Sequence, residues 1–288
     1  SERKILLSWS KITNKFDFDG NFLERIIHPN SDSLQTVNYN VVLINDSLYA
    51  AGFQNYTDHQ ENAVIVFDRN NHVISLLKSF ETPIKHPEFK TWSPFEEGGI
   101  FYRTDTNIRF YRAVCDTIYT YNSSEKMFIP RYSLFFGKHR SNHNHNPDTE
   151  NSDVVMLNSI VETRTHIFMS FYMKKQAPEP FEDTTWWDNQ LRKFTNLNVY
   201  GIYDKKENNL HYLLQPIPKI LGLDNDIDNG IPFWPKSASS SGEMIDYHQA
   251  YKFIEYAEQL NQSDTSFKSV LNVISEDDNP VVVIVKSK

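Results

Sequence analysis

The sequence predicts an all-β chain folded as a β-propeller, and three observations predict it. First, a short phrase recurs: an aromatic residue, then Asp or Asn, then a polar turn and a β-rich run. It reads Phe16-Asp17-Phe18-Asp19-Gly20, Phe67-Asp68-Arg69-Asn70-Asn71, Tyr121-Asn122-Ser123-Ser124 and Tyr203-Asp204-Lys205-Lys206. The Asx positions 17, 68, 122 and 204 lie 51, 54 and 82 residues apart. Steps near the first two are those of propeller blades, and the third calls for an insertion. Second, a polar turn feeding an apolar strand repeats as Asn45-Asp46-Ser47-Leu48-Tyr49 and Cys115-Asp116-Thr117-Ile118-Tyr119. Third, aromatic residues make up 14% of the chain while glycines number only 9. That balance suits strand faces packing broad rings on neighbouring sheets, with turns built from Asn, Asp and Ser.

The strands follow from alternation and from β-branched or aromatic content. A first sheet is read at Ile5 to Trp9, Thr13 to Phe18 and Phe22 to Ile27. The second takes Asn40 to Ile44, Ser47 to Phe53, Ala63 to Phe67 and Val73 to Ser79. The third takes Gly99 to Arg103, Ile108 to Ala113, Thr117 to Tyr121 and Met127 to Phe135. The fourth takes Val154 to Glu162, His166 to Tyr172, Asn198 to Tyr203 and Leu210 to Pro216. The recurring phrase falls between the outer strands of these sheets, where a hairpin turn belongs. An insertion at about Lys174 to Phe194 divides the fourth sheet, and within it Trp187, Leu191 and Phe194 share a helical face over Thr184 to Phe194. A fifth, shorter sheet takes Gly230 to Phe233, Glu243 to Asp246 and Val281 to Lys286.

Inside that fifth sheet, Tyr247, Ala250, Tyr251, Ile254 and Ala257 recur at helical spacing, so Tyr247 to Leu260 reads as a helix with Asp246 as its N-cap. The chain then shows about five blades within a single domain over residues 1–288. A six-bladed ring at these spacings needs roughly another half to full blade, so the propeller is expected to be N-terminally incomplete.

The formal charge of −8 and the lack of any long Lys or Arg cluster argue against a nucleic-acid partner, which needs a basic face. One cysteine, Cys115, cannot close an intrachain disulfide. No apolar run is long enough to span a bilayer, so membrane contact is expected only through an N-terminal lipid anchor outside these residues. There is no nucleophile elbow, Gly-rich phosphate loop or Cys-based metal spacing, and no residue is nominated as catalytic.

Two kinds of residue remain as binding candidates. Asp224, Asp226 and Asp228 alternate as calcium ligands can, but Gly230 stands one place late for an EF-hand and Pro235 occupies the position of its bidentate Glu. The expectation is a structural turn and no cofactor, with calcium as the alternative. Trp92, Trp186, Trp187 and Trp234 could stack on a sugar or peptide if their loops expose them, against the plainer role of packing. His139, His143 and His145 lie in a polar, Pro-terminated segment that reads as a loop.

The last third runs through Gly222-Leu223-Asp224-Asn225-Asp226-Ile227-Asp228-Asn229-Gly230, then Pro232-Phe233-Trp234-Pro235, the helix, and Asp277-Asp278-Asn279-Pro280-Val281. With Phe101-Tyr102-Arg103, Asp116-Thr117-Ile118-Tyr119 and Pro130-Arg131-Tyr132 upstream, it resembles the TolB-like six-bladed β-propeller family of secreted proteins and lipoproteins from gut Bacteroidetes. The resemblance implies export, often with a lipid-modified cysteine at the mature N-terminus, and hence the periplasm or outer membrane surface. No such cysteine lies near Ser1. The resemblance transfers no activity residue by residue. The resulting expectation is a non-catalytic cell-envelope protein that binds a protein, peptide or glycan. The alternative is a metal-dependent hydrolase or lyase with acidic or His ligands converging on the central channel.

Overall fold

A computed structural model describes residues 4–9, 12–29, 38–53, 62–79, 99–104, 107–112, 115–139, 154–187, 190–215, 219–225, 230–239, 241–259 and 265–286. The chain forms two compact units, Ser1–Arg103 with Asn107–Val154, and Thr104–Thr106 with Val155–Lys288. In the first, three antiparallel sheets follow one another. They are β1 (Ile5–Trp9), β2 (Ile12–Phe16) and β3 (Phe22–Ile27); β4 (Asn38–Asn45), β5 (Leu48–Phe53), β6 (Asn62–Asp68) and β7 (Val73–Lys78); and β8 (Ile100–Arg103), β9 (Ile108–Tyr111), β10 (Thr117–Asn122) and β11 (Met127–Ser133). Every strand pairs with its neighbour in sequence, the up-and-down order of a propeller blade.

The second unit holds β12 (Met156–Glu162) and β13 (His166–Tyr172), a separate hairpin of β14 (Phe181–Trp187) and β15 (Gln190–Asn196), and then β16 (Asn198–Asp204) and β17 (Asn209–Leu213). Because β13 pairs directly with β16, the hairpin is an insertion inside a four-stranded blade, as the long third step requires. A last sheet contains β18 (Ser237–Ala238), β19 (Glu243–His248) and β20 (Val281–Lys286), with helices α1 (Ala250–Gln259) and α2 (Thr265–Leu271) between its last two strands. The described strands therefore make five blades of a β-propeller.

The recurring phrase is an Asx turn at each of its four places. Asp17 Oδ1 accepts the N–H groups of Asp19 and Asn21, and Asp68 Oδ1 those of Asn70 and His72. Asn122 Oδ1 accepts from Ser124 and Glu125, and Asp204 Oδ1 from Lys206 and Glu207. Two turn lengths share this side chain. Gly20 and Asn71, at φ 85° and 66°, take the left-handed position in the first two turns. Lys126 and Asn208, at φ 55° and 56°, take it one residue later in the others. A carboxylate or amide that bonds backbone two or more residues on is what both turn lengths need, so the aromatic-Asx pair persists while the residues after it vary.

Packing follows the strand alternation. From β5 and β6, Tyr49, Ala51, Phe53, Ile65 and Phe67 pack with Ile26 of the first sheet. Their alternate neighbours Ala50, Val64 and Val66 pack with Phe110, Tyr121 and Phe128 of the third. The central blade of this unit is thus buried on both faces, as its continuous apolar runs demand. In the second unit, Val161 and Phe168 meet Phe233, Trp234 and Met244, and Phe253 and Ala257 of α1 close over Ile220 and Ile231.

Three expectations are corrected. Asp246 and Tyr247 are strand residues, opposite Val283 and Val282, so the helix begins at Ala250 and Asp246 caps nothing. Pairing with β20 overrides the helical spacing, and the buried side of α1 runs through Ala250, Phe253 and Ala257, leaving Tyr251 and Ile254 half-buried. The segment from Thr184 to Phe194 is hairpin, with Thr184 opposite Lys193 and Thr185 opposite Arg192. Its β-branched and aromatic residues prevail over a coincidental helical spacing. Gly230 to Phe233 contributes a single bridge, Leu223 to Phe233, in place of a full strand.

Candidate functional site

The turn phrase gives a ruler for comparing blades. In the second, third and fourth blades it joins the third strand to the fourth: β6 to β7, β10 to β11 and β16 to β17. In the first blade it joins β2 to β3, so β1 corresponds to the second strand of the others. Among the described residues no strand pairs with the outer edge of β1. Beside this strand lies a cleft of about 410 Å³ lined by Leu6 and Ser8, alternate residues on one face of β1, with Asn40, Val41 and Val42 of β4 and Ile100 and Phe101 of β8.

Each wall of the cleft is held from behind. The Ser8 hydroxyl is 2.9 Å from that of Thr13, which is 2.8 Å from Nε2 of the buried His28. This chain fixes one polar group on an apolar wall. Opposite it, Asn40 Nδ2 donates to the carbonyl of Gly99 at 2.8 Å and ties β4 to the start of β8. Gly99 sits at φ +83°, and a Cβ there would collide with the Phe110 ring, so no other residue fits the corner that delivers Ile100 and Phe101. The result is a cleft of mixed polar and apolar surface with two oriented polar side chains, one wall of which is the edge strand β1.

A second pocket of the same unit, about 360 Å³, is lined by Lys4, Lys15, Leu23, Glu24, Asp46 and Arg69. Glu24 Oε1 accepts from Lys15 Nζ at 2.8 Å and from the Tyr49 hydroxyl at 3.4 Å. The hydrogen bond from Lys15 holds the Glu24 carboxyl below its ordinary value. Burial, reinforced by the Glu24 charge, pushes Tyr49 up to about 12. Arg69 donates one N–H to the Asp46 carbonyl at 3.0 Å.

The profile of a domain of unknown function, DUF4934, matches residues 1–286. The chain belongs to the DUF4934 family. A crystal structure of a candidate exported protein from Bacteroides fragilis is similar, with a TM-score of 0.61 at 17% identity, covering 97% of this chain and 72% of that one. At that identity the likeness shows the fold alone. No curated protein matches.

The DUF4934 chain treats the residues singled out by sequence unequally. Trp234 is 5% exposed, stacked on Tyr200 at 4.2 Å and edge-on to Phe168 at 5.6 Å, so its ring belongs to the packing between the last two blades. Trp186 and Trp187 lie at the end of β14, opposite Leu191 and Gln190, and their side chains are outside the described set. Trp92 also lies outside the described residues. Of the acidic loop, Asp224 is exposed, and Asp226 and Asp228 are outside the described residues. So are His143 and His145, while His139 ends a short 3₁₀ turn. Among the described residues no three His, Cys, Asp or Glu side chains come together as a metal site needs.

One charged group escaped the sequence reading. Asp246 is 2% exposed and accepts the Trp234 backbone N–H at 3.0 Å, with Lys236 Nζ at 3.1 Å and His248 Nε2 at 3.2 Å. Burial pushes its carboxyl up, but the hydrogen bond and charge of His248, the Trp234 N–H and the Lys236 charge together outweigh burial and hold it below the ordinary value. Beside it, burial raises the Tyr200 hydroxyl to about 12. The cluster clamps the Pro232 to Pro235 segment onto β19. An alternation of Met244, Asp246 and His248 within a strand was the available signal, hidden by the assignment of Asp246 to a helix cap.

Proposed function

We propose that this protein is a non-catalytic binding module of the cell envelope whose ligand is an extended peptide segment, taken up along the outer edge of β1. The single observation that carries the reading is the cleft itself: an edge strand that no strand pairs with among the described residues, beside a surface where apolar and polar side chains alternate as Leu6/Ser8 and Asn40/Val42. Strand addition draws affinity from main-chain hydrogen bonds, each worth about 0.5–1.5 kcal/mol net. It draws specificity from pockets that take alternate side chains. Leu6, Val42 and Phe101 supply apolar contact, and Ser8 and Asn40 supply orientation. The cleft volume falls in the usual range of ligand sites, roughly 300–1,000 Å³. We read the protein further as an exported member of the TolB-like six-bladed group, held at the periplasmic or outer membrane surface as a lipoprotein. Support comes from the ordered terminal motifs and from a structural neighbour described as a candidate exported protein. Fractionation of cells producing it with its native leader tests the location, and recovery in the cytosol contradicts it.

Selection from a displayed library of linear peptides, followed by calorimetry, tests the binding. The expected result is a set of binders with alternating apolar residues whose affinity drops at least about tenfold in Leu6→Lys, a change that places a charge against the docked strand. Circular dichroism checks that the variant keeps its fold. Failure to select any binder, or binders that ignore the substitution, overturns the reading.

A further inference from the structure

The charged pocket stands apart from the cleft and shares no residue with it. Its position is set by the repeat. Asp46 comes from the turn between β4 and β5, Arg69 from the phrase turn between β6 and β7, and Lys15 and Glu24 are directly opposed on β2 and β3. Three cations and two carboxylates line it, and the Asp17 carboxylate lies within electrostatic reach of Lys4. We infer that this pocket is a binding site for a small ligand carrying one carboxylate, with Arg69 as its anchor and the Lys15–Glu24 pair as its floor.

The donor inventory supports an anion. A guanidinium carries five N–H donors, and the Asp46 carbonyl takes one of those on Arg69. Lys15 is 8% exposed and bonds Glu24 through one of its three ammonium protons, so its charge is fixed at the floor and cannot swing away. Glu24 is already occupied by Lys15 and the Tyr49 hydroxyl, so it stays a partner of the floor. The remaining donors of Arg69 suit the class. A monocarboxylate matches a guanidinium with a single negative charge, whereas a phosphate dianion would set a second one beside Glu24. Leu23, 43% exposed, offers an apolar contact to the body of the ligand, which fits a ring-sized acid better than acetate.

The test is a nuclear magnetic resonance titration of the whole chain with acetate, benzoate, glucuronate, glucose and inorganic phosphate at constant ionic strength. Expected are saturable shifts of Lys15 and Arg69 signals with the carboxylates, strongest for the ring-bearing acids, none with glucose, and weaker binding of phosphate. Arg69→Gln should raise the dissociation constant by about fivefold or more, as loss of a charged donor does. Phe101→Ala, in the cleft, should leave it unchanged, so this site and the peptide cleft fail or succeed separately. Absence of saturation by any carboxylate up to about 100 mM, a concentration that reveals even very weak sites, overturns the inference. So does tighter binding of phosphate, or an unchanged affinity in Arg69→Gln.

Discussion

Asp246 shows how much one buried carboxylate can hold together. It satisfies the Trp234 N–H, neutralises Lys236 and accepts from His248; its removal orphans the Trp234 N–H and takes the carboxylate partner from the other two. Asp246→Ala should lower stability by about 3 kcal/mol, the usual result of breaking a buried charge network from one side. The pH dependence has a definite sign. Because the folded-state pKa lies below the unfolded value, the stabilisation is complete above the ordinary carboxylate range and is lost as pH falls through the lowered value. Thermal melts from pH 7 to pH 2 should therefore show a smaller acid-induced loss in Asp246→Asn than in the parent. Parallel curves would contradict the assignment. Trp234, read from sequence as a ring that a loop could expose, is instead the neighbour this carboxylate fixes, because Tyr200 offers a stacking face only visible in the folded chain.

Among the elements, the four phrase turns are the part of this fold written most locally. Each needs an Asx side chain to bond backbone a few residues away, and local chemistry is readable in one dimension. The carboxyls of Asp17, Asp68 and Asp204 are held below their ordinary value, chiefly by bonds from Asn21, His72 and Glu207 respectively. Their contribution is present above the unfolded carboxylate pKa and fades as pH falls through the folded values. Asn122 makes the same bonds without a titrating group. Asp68→Asn should thus melt like the parent at pH 7 and better than it near pH 3, while Asp68→Ala melts lower at neutral pH. A neutral Asp68→Ala would show that the turn forms without the side chain. Strands of the second, third and fourth blades were equally legible, since their apolar and aromatic runs coincide with their burial. The segment from Thr184 to Phe194 and the start of α1 were not. There the residue spacing fits a helix, and only pairing with β15 and β20 decides for strand. The cleft was illegible for a related reason: Leu6, Asn40 and Phe101 meet through register and blade packing, which no spacing encodes.

At the scale of the whole molecule, the two terminal sheets each leave an apolar face exposed. On the first, the register places Ile5, Leu7, Ile12, Phe22 and Ile27 on one side, all more than a third exposed. On the last, Tyr247, Val282 and Ile284 share a face with similar exposure. Contiguous apolar surface of this kind promotes association. Leu7→Lys should reduce light scattering at high concentration without lowering the melting temperature, because Leu7 is 58% exposed and has little burial to lose. A fall in stability would mean that this face is already covered. The central claim, that β1 keeps an outer edge open for a peptide strand, is tested most directly by amide hydrogen exchange along β1, with β5 as the internal reference. The account predicts alternate amides of β1 that exchange quickly in the free protein and slow by at least about tenfold when a selected peptide is bound. Protection of every β1 amide to the level of β5 in the free protein would contradict it.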